Sequence, residues 1–220
     1  MALTTNDTPS ATPVPPPHLL ARELARRIAA PARVLHLGVG SGRNISPFVD
    51  RDVRVDALET DAGRAAAVAR RFANDSRVRV VHVESLVDSD PAAVCGRAYD
   101  GALSTHALLH GRLGDVVATV AAARALVRVG APLYATFGST RDPRFGAGTQ
   151  LDAATFAPIV GPEAGIAHTF FDQRGIRALL DAFKIETLVE TDAAEYVGTW
   201  AHAAGDAASI VHWFVRAVAR

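Results

Sequence analysis

Apolar and polar positions along this chain follow two periods, and the switches between them predict most of its elements. Over 18–30 the apolar residues Leu19, Leu20, Leu24 and Ile28 recur at helical spacing, while Arg22, Arg26 and Arg27 fall elsewhere, the pattern of an amphipathic helix. Short apolar runs then predict strands over 33–37, 53–58, 77–83, 98–104 and 131–137. Helical patterns lie between them, over 44–49, 61–73 and 113–127. The second starts on Asp61, as the helix macrodipole favours, and the third is closed by Gly130. This alternation predicts a doubly wound α/β fold, a mostly parallel sheet with helices on both faces. Near the end a helix over 172–183 is followed by two strand-like runs, 184–190 and 210–218. With no helix between them, they imply an antiparallel pair.

Two stretches fall outside this rhythm. Residues 1–17 are rich in Thr, Pro and Ala, lack the basic start and apolar core of a signal peptide, and end in Pro15-Pro16-Pro17. A disordered tail is expected there, leaving 18–220 as a single domain. The connection 141–171 is long and carries Gly146, Gly148, Gly161 and Gly165. Because it follows a strand of the parallel sheet, it is expected to form a lid over the crevice at the carboxyl ends of the strands.

Composition narrows the partners. A length of 220 residues with 49% hydrophobic content suits one globular domain. Lys plus Arg equals Asp plus Glu at 23 each, so no excess of positive charge is available for a nucleic-acid backbone. No apolar run is long enough to span a bilayer. The single cysteine, Cys95, excludes an intrachain disulfide and a multi-cysteine zinc site, and suits a reducing cytoplasm. A small-molecule partner, acting on a monomer or homodimer, is the expectation.

Candidate chemistry concentrates at residues 33–44, Arg-Val-Leu-His-Leu-Gly-Val-Gly-Ser-Gly-Arg-Asn. An apolar run feeding Gly38, Gly40 and Gly42 describes a strand that ends in a turn able to approach a ligand closely, because glycine reaches positive φ and has no Cβ. A second strand closes on Glu59 and Thr60, with the acid about 20 positions past Gly38, where a carboxylate can accept both hydroxyls of a ribose. Such loops serve dinucleotides and other nucleotide-like cofactors. The dinucleotide fingerprint requires a third glycine at the position held here by Arg43, which argues against a nicotinamide-dependent oxidoreductase.

The spacing of Gly38, Gly40 and Gly42 resembles motif I of the class I S-adenosylmethionine-dependent methyltransferases, in particular their small-molecule type. Tyr99-Asp100-Gly101-Ala102-Leu103-Ser104 is similar to that family's fourth-strand motif, and Leu126-Val127-Arg128-Val129-Gly130-Ala131 to the turn before its fifth strand. The resemblance runs from Leu19 to Arg220 and implies a seven-stranded, mostly parallel sheet whose last strand is antiparallel. It implies S-adenosylmethionine as cofactor and transfer of its methyl group to a small, aromatic or heterocyclic acceptor by direct displacement. Residue by residue, it implies that Gly38, Val39, Gly40 and Gly42 line the amino-acid part of the cofactor and that Glu59 and Thr60 hold the ribose. Glu84 and Ser85 flank the adenine, and Ser104 lies under the methionine end. The family carries Asp or Glu two residues before the first glycine; this chain has His36, which supplies no matching negative charge.

Methyl transfer draws most of its rate from positioning, with a base needed where the acceptor starts protonated. His106, His168 and Glu163 are the candidates. Each has a plainer reading: His106 as a packing or capping residue, His168 as a neighbour of the following helix. His106 and His110 share a face if their segment is helical, but no third ligand lies nearby in sequence and no metal is expected. Phe156, Phe170 and Phe171 either form an apolar acceptor pocket or anchor the next helix to the core. Trp213 reads as core, and Trp200 as a loop residue that either lines a pocket or does not. A non-catalytic module that binds the cofactor is the alternative function.

Overall fold

The computed structural model describes residues 14–86, 98–161, 163–192 and 210–220; Cys95, Trp200 and most of the N-terminal tail lie outside the described residues. Five parallel strands form the centre in the order β3 (Val78–His82), β2 (Val53–Glu59), β1 (Ala32–Leu37), β4 (Gly101–Ser104), β5 (Pro132–Ser139). Beyond β5 the chain's last strand, β10 (Val211–Ala219), pairs antiparallel with both β5 and β9 (Phe183–Asp192). These seven strands are the expected sheet, with the expected antiparallel closing pair. The whole sheet has ten strands, however. The additional three are β6 (Thr149–Gln150), β7 (Thr155–Ala157) and β8 (His168–Phe171), an antiparallel ribbon joined in parallel to the end of β5 through Gly138↔Phe170 and Ser139↔Phe171. The stretch expected as a lid is therefore an extension of the sheet.

Alternation along the strands separates two cores. Leu35 and Leu37 of β1 face the layer containing the helices Leu113–Leu126 and Gln173–Leu179, where Val116, Val120, Ala123 and Ile176 are buried. Val34 faces the opposite layer, built from the helices Leu19–Arg27, Ser46–Val49 and Ala62–Arg71 through Leu20, Leu24, Phe48 and Val68. The helices are capped as their sequences indicate: Asp61 accepts from the Arg64 backbone N–H at 2.7 Å and Asp172 from that of Gly175 at 2.6 Å. No helix among the described residues is long and apolar enough to cross a membrane.

Buried polar groups fasten the strands. Asp56, 3% exposed on β2, accepts from the Tyr99 hydroxyl at 2.6 Å and pairs with Arg33 and Arg79. This network ties the entrance of β4 to β1, β2 and β3 and leaves the opposite ends of these strands free to build a site.

Candidate functional site

The turn after β1 works as the glycine pattern predicts. Gly38, Gly40 and Gly42 have φ of 68°, 54° and 76°, values at which an L side chain is strained. Their surroundings differ. A Cβ on Gly38 would lie 2.2 Å from the Ala107 Cβ, so this glycine lets the turn pass against the loop after β4. A Cβ on Gly42 would meet Val68 at 3.0 Å, so that glycine seats the turn on the helix Ala62–Arg71. A Cβ on Gly40 would meet nothing within 4 Å. Of the three, Gly40 is the one whose bare face opens onto free space.

Glu59 holds the turn in place. Its carboxylate accepts from the backbone N–H of Gly40 at 2.7 Å, of Thr60 at 3.1 Å and of Asp61 at 3.0 Å, and only 4% of the residue is exposed. The Gly38 and Val39 amides donate to the Leu58 carbonyl at 2.9 and 3.1 Å. The ends of β1 and β2 are thereby locked together, with an acidic group at their junction.

Above this junction lies an open cavity of about 620 Å³. Gly38, Val39, Gly40, Glu59, Thr60, Glu84 and Ser85 line it, as the resemblance implies, and His106 stands on its other side. Gly42 and Ser104 do not line it. Ser104 is fully buried and donates to the Leu37 carbonyl at 3.3 Å, so it joins β4 to β1 and does not face a ligand. Glu163 and His168 are likewise absent from the wall; they lie behind it, where Glu163 pairs with Arg144 at 3.0 Å and with His168 at 3.1 Å. Phe156, Phe170 and Phe171 are not among the cavity's lining residues either. Phe156 and Phe170 pack with each other and with Phe145, and Phe171 packs on Phe137. Trp213 is core, its indole N–H donating to the Phe171 carbonyl at 2.7 Å.

The segment after β4 is not helical, so His106 and His110 do not share a helix face. His106 sits at φ 60°, an uncommon conformation for a residue with a side chain, and its N–H donates to the Thr136 hydroxyl at 2.8 Å. Its ring lies 5.4 Å from that of His18 and 5.3 Å from that of His212. Burial pushes the pKa of both those histidines well down, so the ring row behind His106 stays neutral in ordinary buffers.

Several wall residues had not been singled out as ligand contacts. Arg43, only 5% exposed, brings its guanidinium to the cavity; burial lowers its pKa to about 10, which leaves it charged at neutral pH. Asn44 accepts from the His18 backbone N–H and donates to the Thr105 hydroxyl, both at 2.8 Å, and so ties the first helix and the β4 loop to the glycine turn. Asp115, Thr119 and Ile166 complete the wall. Pro15 also lines the cavity, and the Pro16 carbonyl faces Arg43 at 3.5 Å, so the end of the proline-rich segment belongs to the site. A buried cation immediately after a glycine turn was the available signal for Arg43. His36 lies on β1, fully buried, and is not among the residues of the wall.

No protein-family model matches the chain, and no curated protein does. Solved structures match over nearly its whole length. One is a 1,6-didemethyltoxoflavin-N1-methyltransferase of Burkholderia thailandensis, crystallised with its substrate and S-adenosylhomocysteine. It has a TM-score of 0.60 and 20% identity over 92% of this chain and 79% of that one. The CcbJ methyltransferase of Streptomyces caelestis gives 0.62 and 16%, over 91% and 94%. The [4+2]-cyclase SpnF gives 0.64 and 17%, over 91% and 80%. With its central parallel sheet and antiparallel closing strand, the chain has the fold of the class I S-adenosylmethionine-dependent methyltransferases.

Proposed function

We propose that this chain binds S-adenosylmethionine in the cavity over the Gly38–Gly40 turn and transfers its methyl group to a small acceptor. The observation that carries this reading is the bare face of Gly40, which opens onto free space in a wall that Glu59 and Arg43 also line. The wall fits such a cofactor chemically. Arg43 suits the carboxylate of its amino-acid part. Glu59 keeps acceptor capacity for ribose hydroxyls, since a carboxylate has about four lone-pair sites and three backbone N–H groups use part of them. Glu84, Ser85 and Leu86 offer a polar and apolar edge for the base. The negative charge that the family's acid supplies before the first glycine comes from neither His36 nor Arg43, so the cofactor's ammonium group would rest on backbone carbonyls or another acid.

When bound, the cofactor supplies an electrophilic methyl group, and the chain's task is to present the acceptor in line with it. The acceptor side is formed by Thr105, His106, His110, Asp115, Thr119 and Ile166. Of the candidate bases, His106 alone stands on this wall, and its strained backbone fixes where the imidazole stands. Glu163 and His168 act through other residues. The similarity to SpnF supports a second reading, in which the same cavity holds the cofactor while other chemistry proceeds beside it.

Calorimetric titration with S-adenosylmethionine, S-adenosylhomocysteine and the oxidised nicotinamide dinucleotide tests the cofactor. Binding of the two sulfur compounds alone is expected; binding of the dinucleotide alone would overturn the proposal. A panel of phenols, heterocyclic amines and thiols then separates methyl transfer from the second reading. Glu59→Ala is expected to weaken S-adenosylmethionine by about 1–3 kcal/mol, through lost charge-assisted hydrogen bonds and a loosened turn. Thr60 and Asp61 are exposed, so water replaces the carboxylate at their amides, and the cost to folding is smaller, roughly 1 kcal/mol. Unchanged affinity in the same titration would mean that the hydroxyls are held elsewhere.

A further inference from the structure

Behind the acceptor wall, His110, Glu163 and His168 bring three ligand atoms within 4.8 Å of one another. They come from separate places in the chain. An antiparallel bridge pairs His110 with His168, flanked by hydrogen bonds from the Gly111 amide to the Ala167 carbonyl at 3.0 Å and from the Thr169 amide to the Leu109 carbonyl at 2.8 Å. The two rings stand with centroids 4.8 Å apart. Glu163 reaches them from the turn before β8, with Oε2 at 3.1 Å from His168 Nε2 and Oε1 at 3.8 Å from His110 Nε2.

His168 shows what this arrangement accommodates. Its Nδ1 lies 2.8 Å from the Ile166 carbonyl, which can only accept, so Nδ1 carries a proton and donates it. In the neutral ring Nε2 is then a bare lone pair. That atom is fully buried, has no hydrogen-bond partner and faces a carboxylate oxygen. Two lone pairs at that distance repel unless a second proton or a cation lies between them. A histidine fixed by a carbonyl at one nitrogen and presenting the other is the usual dress of a metal ligand.

We propose that His110, Glu163 and His168 form a binding site for a divalent transition-metal ion, with zinc the best fit. Two imidazoles and one carboxylate are a zinc or ferrous donor set and a poor one for magnesium or calcium, which take oxygen ligands. Tetrahedral zinc with bonds near 2.0–2.2 Å places its ligand atoms roughly 3.3 Å apart; Glu163 Oε2 and His168 Nε2, 3.1 Å apart, are near that spacing, and the set, all within 4.8 Å, closes by rotation of the partly exposed His110 ring. Arg144 lies 3.0 Å from Glu163 Oε2, but its charge is matched by Asp142, which it holds through two contacts at 2.8 and 2.9 Å. The five groups together carry one net negative charge when the histidines are neutral. Arg144 thus orients the carboxylate, as outer-shell partners of metal sites do. His110 also lines the cavity, so a bound ion borders the acceptor space and leaves open positions suited to an oxygen-bearing acceptor; only this last point rests on the methyltransferase reading.

The test is titration of the full chain, stripped with a chelator, with zinc by calorimetry and with cobalt(II) by visible absorption, without cofactor. The wild-type chain is expected to take up a single equivalent, show the spectrum of low-coordinate cobalt and melt at a higher temperature with zinc. His110→Ala, at a partly exposed side chain, and Glu163→Gln are each expected to weaken binding at least tenfold. Circular dichroism confirms that the variants fold. Absence of uptake by the wild-type chain would overturn the proposal and leave His168 as the imidazolium partner of Glu163. Equal uptake by both variants would overturn it too, by assigning the metal to other histidines.

Discussion

Gly40→Val is expected to abolish measurable binding of S-adenosylmethionine while the protein still folds. The valine side chain would enter the space that the missing Cβ leaves open on the cavity side of the turn, where nothing of the protein lies within 4 Å. A Cβ there meets no other residue within 4 Å, so the cost to folding is chiefly the backbone strain of a β-branched residue at φ 54°, at least about 1–2 kcal/mol. The cost to binding is larger, because the branched side chain occupies the ligand's own volume: a loss of ~100-fold or more, equivalent to about 3 kcal/mol. Gly38→Ala provides the contrast. Its Cβ would fall 2.2 Å from the Ala107 Cβ, so that variant is expected to lose stability first and binding as a consequence. Calorimetry alongside urea unfolding separates the two. If Gly40→Val binds S-adenosylmethionine as the wild type does, the cofactor does not lie over this turn.

Acidification below neutrality is expected to destabilise the fold well before the carboxylates titrate, and His36 is the main reason. Complete burial pushes its pKa from 6.5 down to about 4, with the nearby Arg43 charge adding to the shift. Between those values the unfolded chain takes up a proton that the folded chain refuses, so stability falls as pH drops through this window. For His36 alone the loss is about 2 kcal/mol at about pH 5 and about 3 kcal/mol by about pH 4. His18 and His212 are shifted in the same direction by burial and steepen the fall. Urea midpoints at about pH 7.5 and about pH 5 measure the effect. His36→Leu, which fills a similar volume and removes two ring nitrogens that lack partners among the described residues, is expected to flatten the dependence. A His36→Leu curve parallel to the wild type would assign the acid sensitivity to the other histidines.

The sheet was legible where each strand carries its own pattern. β1 and β2 are short runs of aliphatic residues broken only by single polar positions, and the closing pair β9 and β10 follows from two runs with no helix between them. The glycine turn and Glu59 were legible because their chemistry is local: three glycines and an acid, each at the end of a strand. The ribbon β6 to β8 was not, since its strands are two to four residues long and two of them are separated by a glycine-bearing turn with no periodicity to read. The roles of His110, Glu163 and His168 were hidden for a related reason. They meet through a backbone bridge between residues far apart in sequence, and no spacing rule reports such a meeting. Ser104 was misplaced because strand alternation tells that a residue is buried, not which neighbour its hydroxyl will bond.

The ribbon is attached to the sheet through two residue pairs at the tip of β5, whereas the turn and Glu59 are built into the centre of the sheet. The glycine turn and the ribbon are thus separate lengths of chain, and the ribbon segment gives the cavity only Ile166. Residues 141–171 lie at the sheet's margin, so their sequence can diverge while the β1–β2 junction, built from central strands, stays as it is.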